Sequence, residues 1–494
     1  MSRRITVAPV TRVEGHLSLK LDLSASGRVE AAYASGTMFR GFEAIMQGRD
    51  PRDAIHLTQR ICGVCPVPHA RTAVEAVEQA FGVTVSRNAV LLRNLVQGAG
   101  LISDHLLHFY HLALLDYVRG PGLPPFAPAP TADQRFQEVD TQLLGQHYVQ
   151  AFQARRTAHE MGAIFAGKLP HVMTFAAGGV TQAPDAASVA AFRQLLDGLI
   201  PFIENVYLPD ALKLSETYPE YFEIGGGPAN LFSAGAFSDG AGTLLFPAGK
   251  CSARGPDEDW HEHDRDRDHD HGHDRDHDRD HARRWHRSPL TAGDLGRIDE
   301  AVKHSYYGAD GRGPHGLRDE TTPNLDKRGA YSWVKAPRLG GEVYQVGALA
   351  RMLVSGHYRG GLSVMDRLLA NAHETAMVAS AMRGWLDGLA LDGSGYQPVT
   401  AIPASGQAVA FSEAPRGTLA HWLEYQDGKV TRYQIITPTS WNASPRDDRE
   451  LPGPIEQALV GVQVADASQP VEVHRVIHSF DPCLGCAVHV TVID

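Results

Sequence analysis

Apolar positions change period along this chain. From Ile5 to Tyr33 they alternate: Ile5 and Val7, then Leu17, Leu19, Leu21 and Leu23 with Lys20 and Asp22 between, then Val29 to Tyr33. A period of two belongs to half-buried strands, so this stretch predicts a small antiparallel sheet turning at Ser26-Gly27. From Asn88 to Asp116 the spacing becomes helical, through Leu91, Leu92, Leu95, Ile102, Leu106, Phe109, Tyr110, Ala113 and Leu114. That pattern predicts a long helix with one buried face. Further long helices fit 142–166, 185–214 (bent at Pro201 or Pro209) and 364–389. Asp50-Pro51 marks a helix start whose far end delivers Cys62 and Cys65. Pro170 to Val180 is a glycine-rich crossing loop. Alternation returns at 406–411, 419–425 and 430–436, with a hairpin at Asp427-Gly428, closed by Thr437 to Asn442. A last amphipathic helix fits 454–460.

The expected fold class is α+β and predominantly helical, a long-helix bundle with small antiparallel sheets. Residues 1–494 form one unit: an N-terminal sheet over about 1–40, the bundle over about 85–390, and C-terminal strands over about 400–494. Residues 253–287 break the pattern. His261 to His281 is almost entirely His, Asp and Arg, a composition that cannot bury a core. It predicts a disordered surface insertion, with loose nickel or zinc binding as the functional alternative.

Composition narrows the picture little. The 494 residues carry a net charge of -11, which argues against a nucleic-acid footprint. No uninterrupted apolar run reaches the length of a membrane span. Arg3 and Arg4 are not followed by an apolar signal core, so export would need another chain's signal.

The five cysteines change more. Cys251 stands alone and reads as a bystander, while the others form two C-x-x-C pairs near opposite ends, Cys62/Cys65 and Cys483/Cys486. Each pair is followed by a histidine, His69 and His489. On spacing alone structural zinc is the default, with redox or iron–sulfur use as alternatives. Zinc staples usually stabilise small folds, whereas these thiols lie at the ends of a large one, which favours a catalytic site. On pattern alone Glu14 reads as an exposed strand carboxylate and Asp104 as a solvated or satisfied helix residue.

The motifs themselves say more. Arg60-Ile61-Cys62-Gly63-Val64-Cys65 with His69, and Asp481-Pro482-Cys483 with Cys486 and His489, resemble the two signatures of the large, catalytic subunit of uptake-type [NiFe] hydrogenases. The likeness runs through Arg12 to His16, Arg40-Gly41-Phe42-Glu43, Gly48 to Pro51, Gly178-Gly179-Val180, Tyr331 to Arg338, Ala414-Pro415-Arg416-Gly417 and Trp441-Asn442. It covers the chain except the His/Asp/Arg tract.

The resemblance implies the hydrogenase large-subunit fold and a set of roles. Cys62 and Cys483 would be terminal nickel ligands. Cys65 and Cys486 would bridge nickel to an iron bearing one CO and two cyanides. Pro415, Arg416 and Thr439 would line the pocket of those diatomic ligands, and His69 would hydrogen-bond near Cys65. Glu43, the carbonyl of Ile435 and His489 would hold a magnesium ion. Cys483 would pass a proton to Glu14, with Asp104 and Asp481 holding Arg416 in place. As a base, Arg416 is disfavoured because guanidinium keeps its proton.

The implied reaction is reversible heterolytic oxidation of H2, with electrons passed to a small subunit bearing iron–sulfur clusters. That partner would carry the export signal and place the complex at the membrane on the periplasmic side; a cytoplasmic location is the alternative. Maturation proteins are implied too, including an endopeptidase that trims beyond His489, where Val490 to Asp494 follow here. A hydrogen-sensing subunit and a zinc-stapled non-catalytic subunit are the competing readings.

Overall fold

The computed structural model describes residues 3–120, 133–253, 285–308, 322–391 and 395–487. The first strands are as the alternation predicts: Arg3–Val7, Leu17–Leu23 and Val29–Gly36 form an antiparallel sheet in chain order. Leu17, Leu19, Leu21 and Leu23 all face inward. The segment with Glu14 is not part of it. It loops out between the first two strands and makes an isolated bridge to Cys483.

The long helices also follow their apolar spacing. Arg87–Leu106 begins at Ser86, whose hydroxyl accepts from the Ala89 N–H at 3.2 Å. It continues as a π-helical stretch over Leu107–Ala113. Glu138–Ala166 and Val364–Asp387 pack against it. The predicted bend in the next helix follows Pro201: Ala186–Phe202 passes into a π-helical stretch, Ile203–Tyr207, before Leu208–Thr217.

This bent helix contains the chain's most membrane-like segment among the described residues. Ala186–Thr217 is long enough, and over part of its length apolar enough, to cross a membrane by length and composition alone. Asp197 and Glu204 interrupt the run, which is why no unbroken apolar stretch shows in the sequence. Its inward residues Phe192, Leu196, Leu199 and Ile203 are buried, and Phe192 stacks on Phe165 at 5.5 Å.

Two of the helices without a counterpart among the predicted elements flank the thiols. Pro66–Phe81 carries proline in its first turn and is buried all round except at Glu75 and Gln79. Its polar residues are enclosed as well: Glu78 pairs with Arg93, and Arg71 bonds Asn94 and Gln97. Cys62 ends a short 3-10 turn, Thr58–Ile61, while Cys65 stands at the start of this unpredicted helix. The other, Val471–Ser479, leads into Asp481 and Cys483.

Ser405–Ala414, Gly417–Gln426 and Lys429–Ile436 form the C-terminal sheet. Ala414 pairs with Gly417, so Pro415 and Arg416 are the tip of a hairpin. Helix Pro66–Phe81 packs on this sheet. The largest apolar cluster draws on residues from Ile5 to Ala487, and a second surrounds the four thiols with Phe42, Met46, Ile61, Leu419 and Ile435.

The His/Asp/Arg tract lies outside the described residues, but the edges of the expected insertion are strands. Gly249–Ala253 pairs with Trp285–Pro289, Ala253 opposite Trp285. Cys251 is buried within this pairing. His489 and the terminal residues Val490 to Asp494 also fall outside the described residues.

Glu456 links the N-terminal sheet to the predicted helix, observed as Pro454–Leu459. Its Oε1 accepts from the Ala34 N–H at 2.9 Å and the Tyr331 hydroxyl at 2.8 Å, and its Oε2 is buried without a partner. Burial pushes this carboxyl up from 4.5 to about 7. Folding therefore favours its protonated form, a contribution complete below pH 4.5 and lost as pH rises through about 7. The loss amounts to roughly 3 kcal/mol. Glu456→Gln is expected to flatten the fall in Tm between pH 5 and pH 8; an unchanged slope would place that titration elsewhere.

Candidate metal centre

The four predicted thiols converge. The sulfurs of Cys62, Cys65, Cys483 and Cys486 all lie within 4.8 Å of one another, and all four residues are buried. Cys62 Sγ stands 3.4 Å from Cys483 Sγ, Cys65 Sγ 3.4 Å from Cys486 Sγ, and Cys483 Sγ 3.1 Å from Cys486 Sγ. None is in a disulfide. Hydrogen bonds from Cys483, Cys486 and Cys65 hold the Cys62 thiol well below its ordinary range, while burial pushes Cys483 and Cys486 up. Enclosed like charges cannot all ionise unaided. Such a cluster needs a soft cation to be fully deprotonated, and that donor set fits nickel and iron as well as zinc.

The carboxylate beside the thiols is Glu14. The Cys483 thiol donates to Glu14 Oε2 at 3.0 Å, and the Gly485 N–H donates to the same oxygen at 2.9 Å. Leu484 N–H donates to the Glu14 carbonyl at 2.7 Å. Gly15, at φ +78°, makes this approach possible: a Cβ there would lie 2.5 Å from Gly485 N. Burial, then the field of Cys62, raises the Glu14 carboxyl above its usual range.

Arg416 closes the other side. From the hairpin tip its Nε donates to the Asp481 carbonyl at 2.8 Å and one Nη to Asp481 Oδ1 at 3.1 Å. Asp104 Oδ2 stands 3.5 Å from the other Nη, which has no hydrogen bond. Burial opposes the Arg416 charge, but Asp481, Cys483 and Asp104 outweigh it and hold the guanidinium protonated. Burial pushes Asp104 well above the carboxylate range. Asp481 therefore makes the direct contacts, from a left-handed backbone at φ +50°.

The remaining predicted residues are placed unevenly. Thr439 Oγ1 accepts from the Cys483 N–H at 3.0 Å, supporting the backbone of the thiol. Pro415 is buried beside Arg416. His69 Nδ1 faces His421 Nε2 at 3.2 Å, and burial lowers its pKa to about 4. Glu43 Oε1 accepts from the Ile435 N–H at 2.9 Å.

Several residues that complete the site were assigned no role from sequence. Arg40 donates to the carbonyls of Ile61, of Arg60 at 2.9 Å and of Gly485 at 3.3 Å, joining both thiol motifs. Its place in the Arg40-Gly41-Phe42-Glu43 motif was the available signal. Asp116 pairs with both Arg12 and His478, and His478 Nε2 meets the Thr11 carbonyl at 2.8 Å. This ties the loop bearing Glu14 to the helix that precedes Cys483. Beyond Glu43, buried Glu300 accepts from Lys335 at 3.0 Å and from Gln434 at 2.5 Å.

The nickel-dependent hydrogenase family model matches residues 40–120, 123–361 and 358–489. The chain belongs to that family. It is a large, catalytic subunit, an oxidoreductase acting on H2. A HoxL-like model matches residues 4–35. The chain is 38% identical to the periplasmic [NiFeSe] hydrogenase large subunit of Desulfomicrobium baculatum, covering 99% of this chain and 95% of that protein. It is 31% identical to the uptake hydrogenase large subunit of Bradyrhizobium diazoefficiens, with 99% and 95% covered. Among solved structures, the reduced Ni-Fe-Se hydrogenase of D. vulgaris Hildenborough superposes with a TM-score of 0.88 at 35% identity, covering 99% of this chain and 100% of that one. A hydrogenase large subunit replaces the zinc-stapled alternative, and the expected fold stands.

Proposed function

We propose that this hydrogenase subunit splits H2 heterolytically at a nickel–iron centre held by Cys62, Cys65, Cys483 and Cys486. The observation that carries the reading is the Cys483 thiol donating to Glu14 at 3.0 Å inside the four-thiol cluster. Bound there, a nickel–iron pair with one CO and two cyanides on iron would supply a soft, redox-active Lewis acid that polarises H2 and accepts its electrons. Cys62 stands beside Cys483 and Cys65 beside Cys486, two like pairs of donors, of which the family likeness would make the first terminal and the second bridging.

The chain's own residues handle the proton. Cys483 receives it and Glu14, already within hydrogen-bond reach, takes it onward. Arg416 keeps its proton and, with Pro415 and Thr439, presents donors and a closed wall to the diatomic ligands. Glu43, the Ile435 carbonyl and His489 would hold magnesium, as the family likeness implies; Glu43 already meets Ile435 through its N–H.

Electrons leave through a partner. Beyond the four site thiols the sequence holds only Cys251, too few to ligate a cluster. A small subunit with iron–sulfur clusters supplies the route, and the relatives named as large subunits support that pairing. We place the complex at the membrane on the periplasmic side through that subunit, in an uptake role, after trimming by a maturation endopeptidase.

Infrared spectroscopy of the matured heterodimer tests this reading. Bands of metal-bound CO and cyanide that respond to H2 are expected, together with nickel and iron in the protein. Zinc in the thiol site with no such bands would overturn it.

A further inference from the structure

Arg351 lies in the helix Ala348–Ser355 and is fully buried. A guanidinium has five N–H donors, and here each one has a partner. Nε donates to Glu374 Oε1 at 2.5 Å. One Nη donates to Glu413 Oε2 at 2.7 Å and to the Ala414 carbonyl at 2.9 Å. The other donates to Glu374 Oε2 at 2.7 Å and to the Pro415 carbonyl at 2.9 Å. Neutralising a buried charge needs only the carboxylates. Arg351 spends two further donors on the two main-chain carbonyls that immediately precede Arg416.

Those carbonyls belong to the hairpin tip, and the tip is also held from behind. Gly417, at φ +126°, lies so near that a Cβ there would stand 2.6 Å from Gly347 N. Hairpin and helix thus meet backbone to backbone. Glu374 Oε2 further bonds His105 Nε2 at 2.8 Å, and His105 adjoins Asp104, which faces Arg416. Among the described residues the hydrogen bonds of the Arg416 head go to Asp481, and its other Nη has only the looser ion pair with Asp104 at 3.5 Å. The placement of its backbone therefore decides where the head can stand relative to Cys483 and Cys65.

We propose that Arg351 is a positioning residue for hydrogen turnover: it grips the Ala414 and Pro415 carbonyls and so sets where the Arg416 guanidinium stands over the thiols. The proposal rests on Arg416 acting in the pocket. Lysine keeps the charge at position 351 but, as a point donor, cannot span both carboxylates and both carbonyls.

The test is a double-mutant cycle on the matured heterodimer with Arg351→Lys, Arg416→Lys and the pair. Arg351→Lys is expected to retain nickel, iron and the KM for H2 while kcat falls about 10- to 100-fold. Arg416→Lys is expected to fall on the order of 10²- to 10³-fold. The double variant should be no slower than Arg416→Lys alone, within about twofold. Additive losses, or loss of metal in Arg351→Lys, would overturn the proposal. Full activity of Arg351→Lys beside a deficient Arg416→Lys overturns it alone; full activity of Arg416→Lys overturns the pocket role of Arg416 and this proposal with it. Should Arg351→Lys not assemble, Glu374→Gln replaces it in the cycle, with the same non-additivity expected and the same additivity fatal.

Discussion

Cys486→Ser is expected to abolish H2 oxidation and empty the thiol site of nickel. The four sulfurs lie within 4.8 Å of one another, so each is positioned to touch the same metal centre. Serine is close in shape but harder as a donor, and its hydroxyl does not ionise at a buried site. Removing even an outer-shell partner of a metal typically costs about 10- to 100-fold in affinity. Removing a direct thiolate should cost more than about 100-fold. Metal analysis of the purified heterodimer beside an H2 uptake assay reads the result. Retained nickel with normal turnover would mean that Cys486 is not a ligand.

Glu14→Gln should leave metal content intact and still lower kcat by about 10²- to 10⁴-fold, the usual worth of a positioned proton acceptor. The amide oxygen can still accept from the Gly485 N–H, so the junction between the N-terminal loop and the C-terminal motif is preserved. What disappears is the basicity of that same oxygen, 3.0 Å from the Cys483 thiol. Burial raises the Glu14 carboxyl, so the acid limb of H2 oxidation should lie above the ordinary glutamate range. Activity is lost as pH falls through that raised value, because the acceptor is then already protonated. In Glu14→Gln that limb should vanish along with the fast rate. An unchanged rate and pH profile would assign the proton to another group and leave Glu14 a structural link.

Much of the fold was legible because its signals are local. Alternating leucines from Leu17 to Leu23 and the helical spacing from Leu91 to Leu114 each state a period within a few turns of chain. The helix Pro66–Phe81 carries helical spacing too, in Val67, Ala70, Val74, Val77 and Phe81, but the burial of its polar side through Arg71 and Glu78 depends on partners from distant segments. Arg416 was legible through its motif, but its seat on a hairpin tip depends on the pairing of Ala414 with Gly417. Glu14 shows the limit most clearly. Alternation read it as an exposed strand residue, whereas it loops out of the sheet to meet a thiol 469 residues away.

By itself the sequence determined the inventory: two thiol pairs in C-x-x-C spacing, the helical and strand periods, and the motifs between them. Only the tertiary structure decided which charges share a buried space. Periodicity states which face of an element is apolar; it does not state which polar residue from a distant segment will be enclosed with another. Arg351 is the case in point. On its helix it is one charge among apolar neighbours, and only folding brings Glu374, Glu413 and the two carbonyls before Arg416 within reach of its five donors. Burial makes such contacts matter, because an enclosed charge must be matched where it stands.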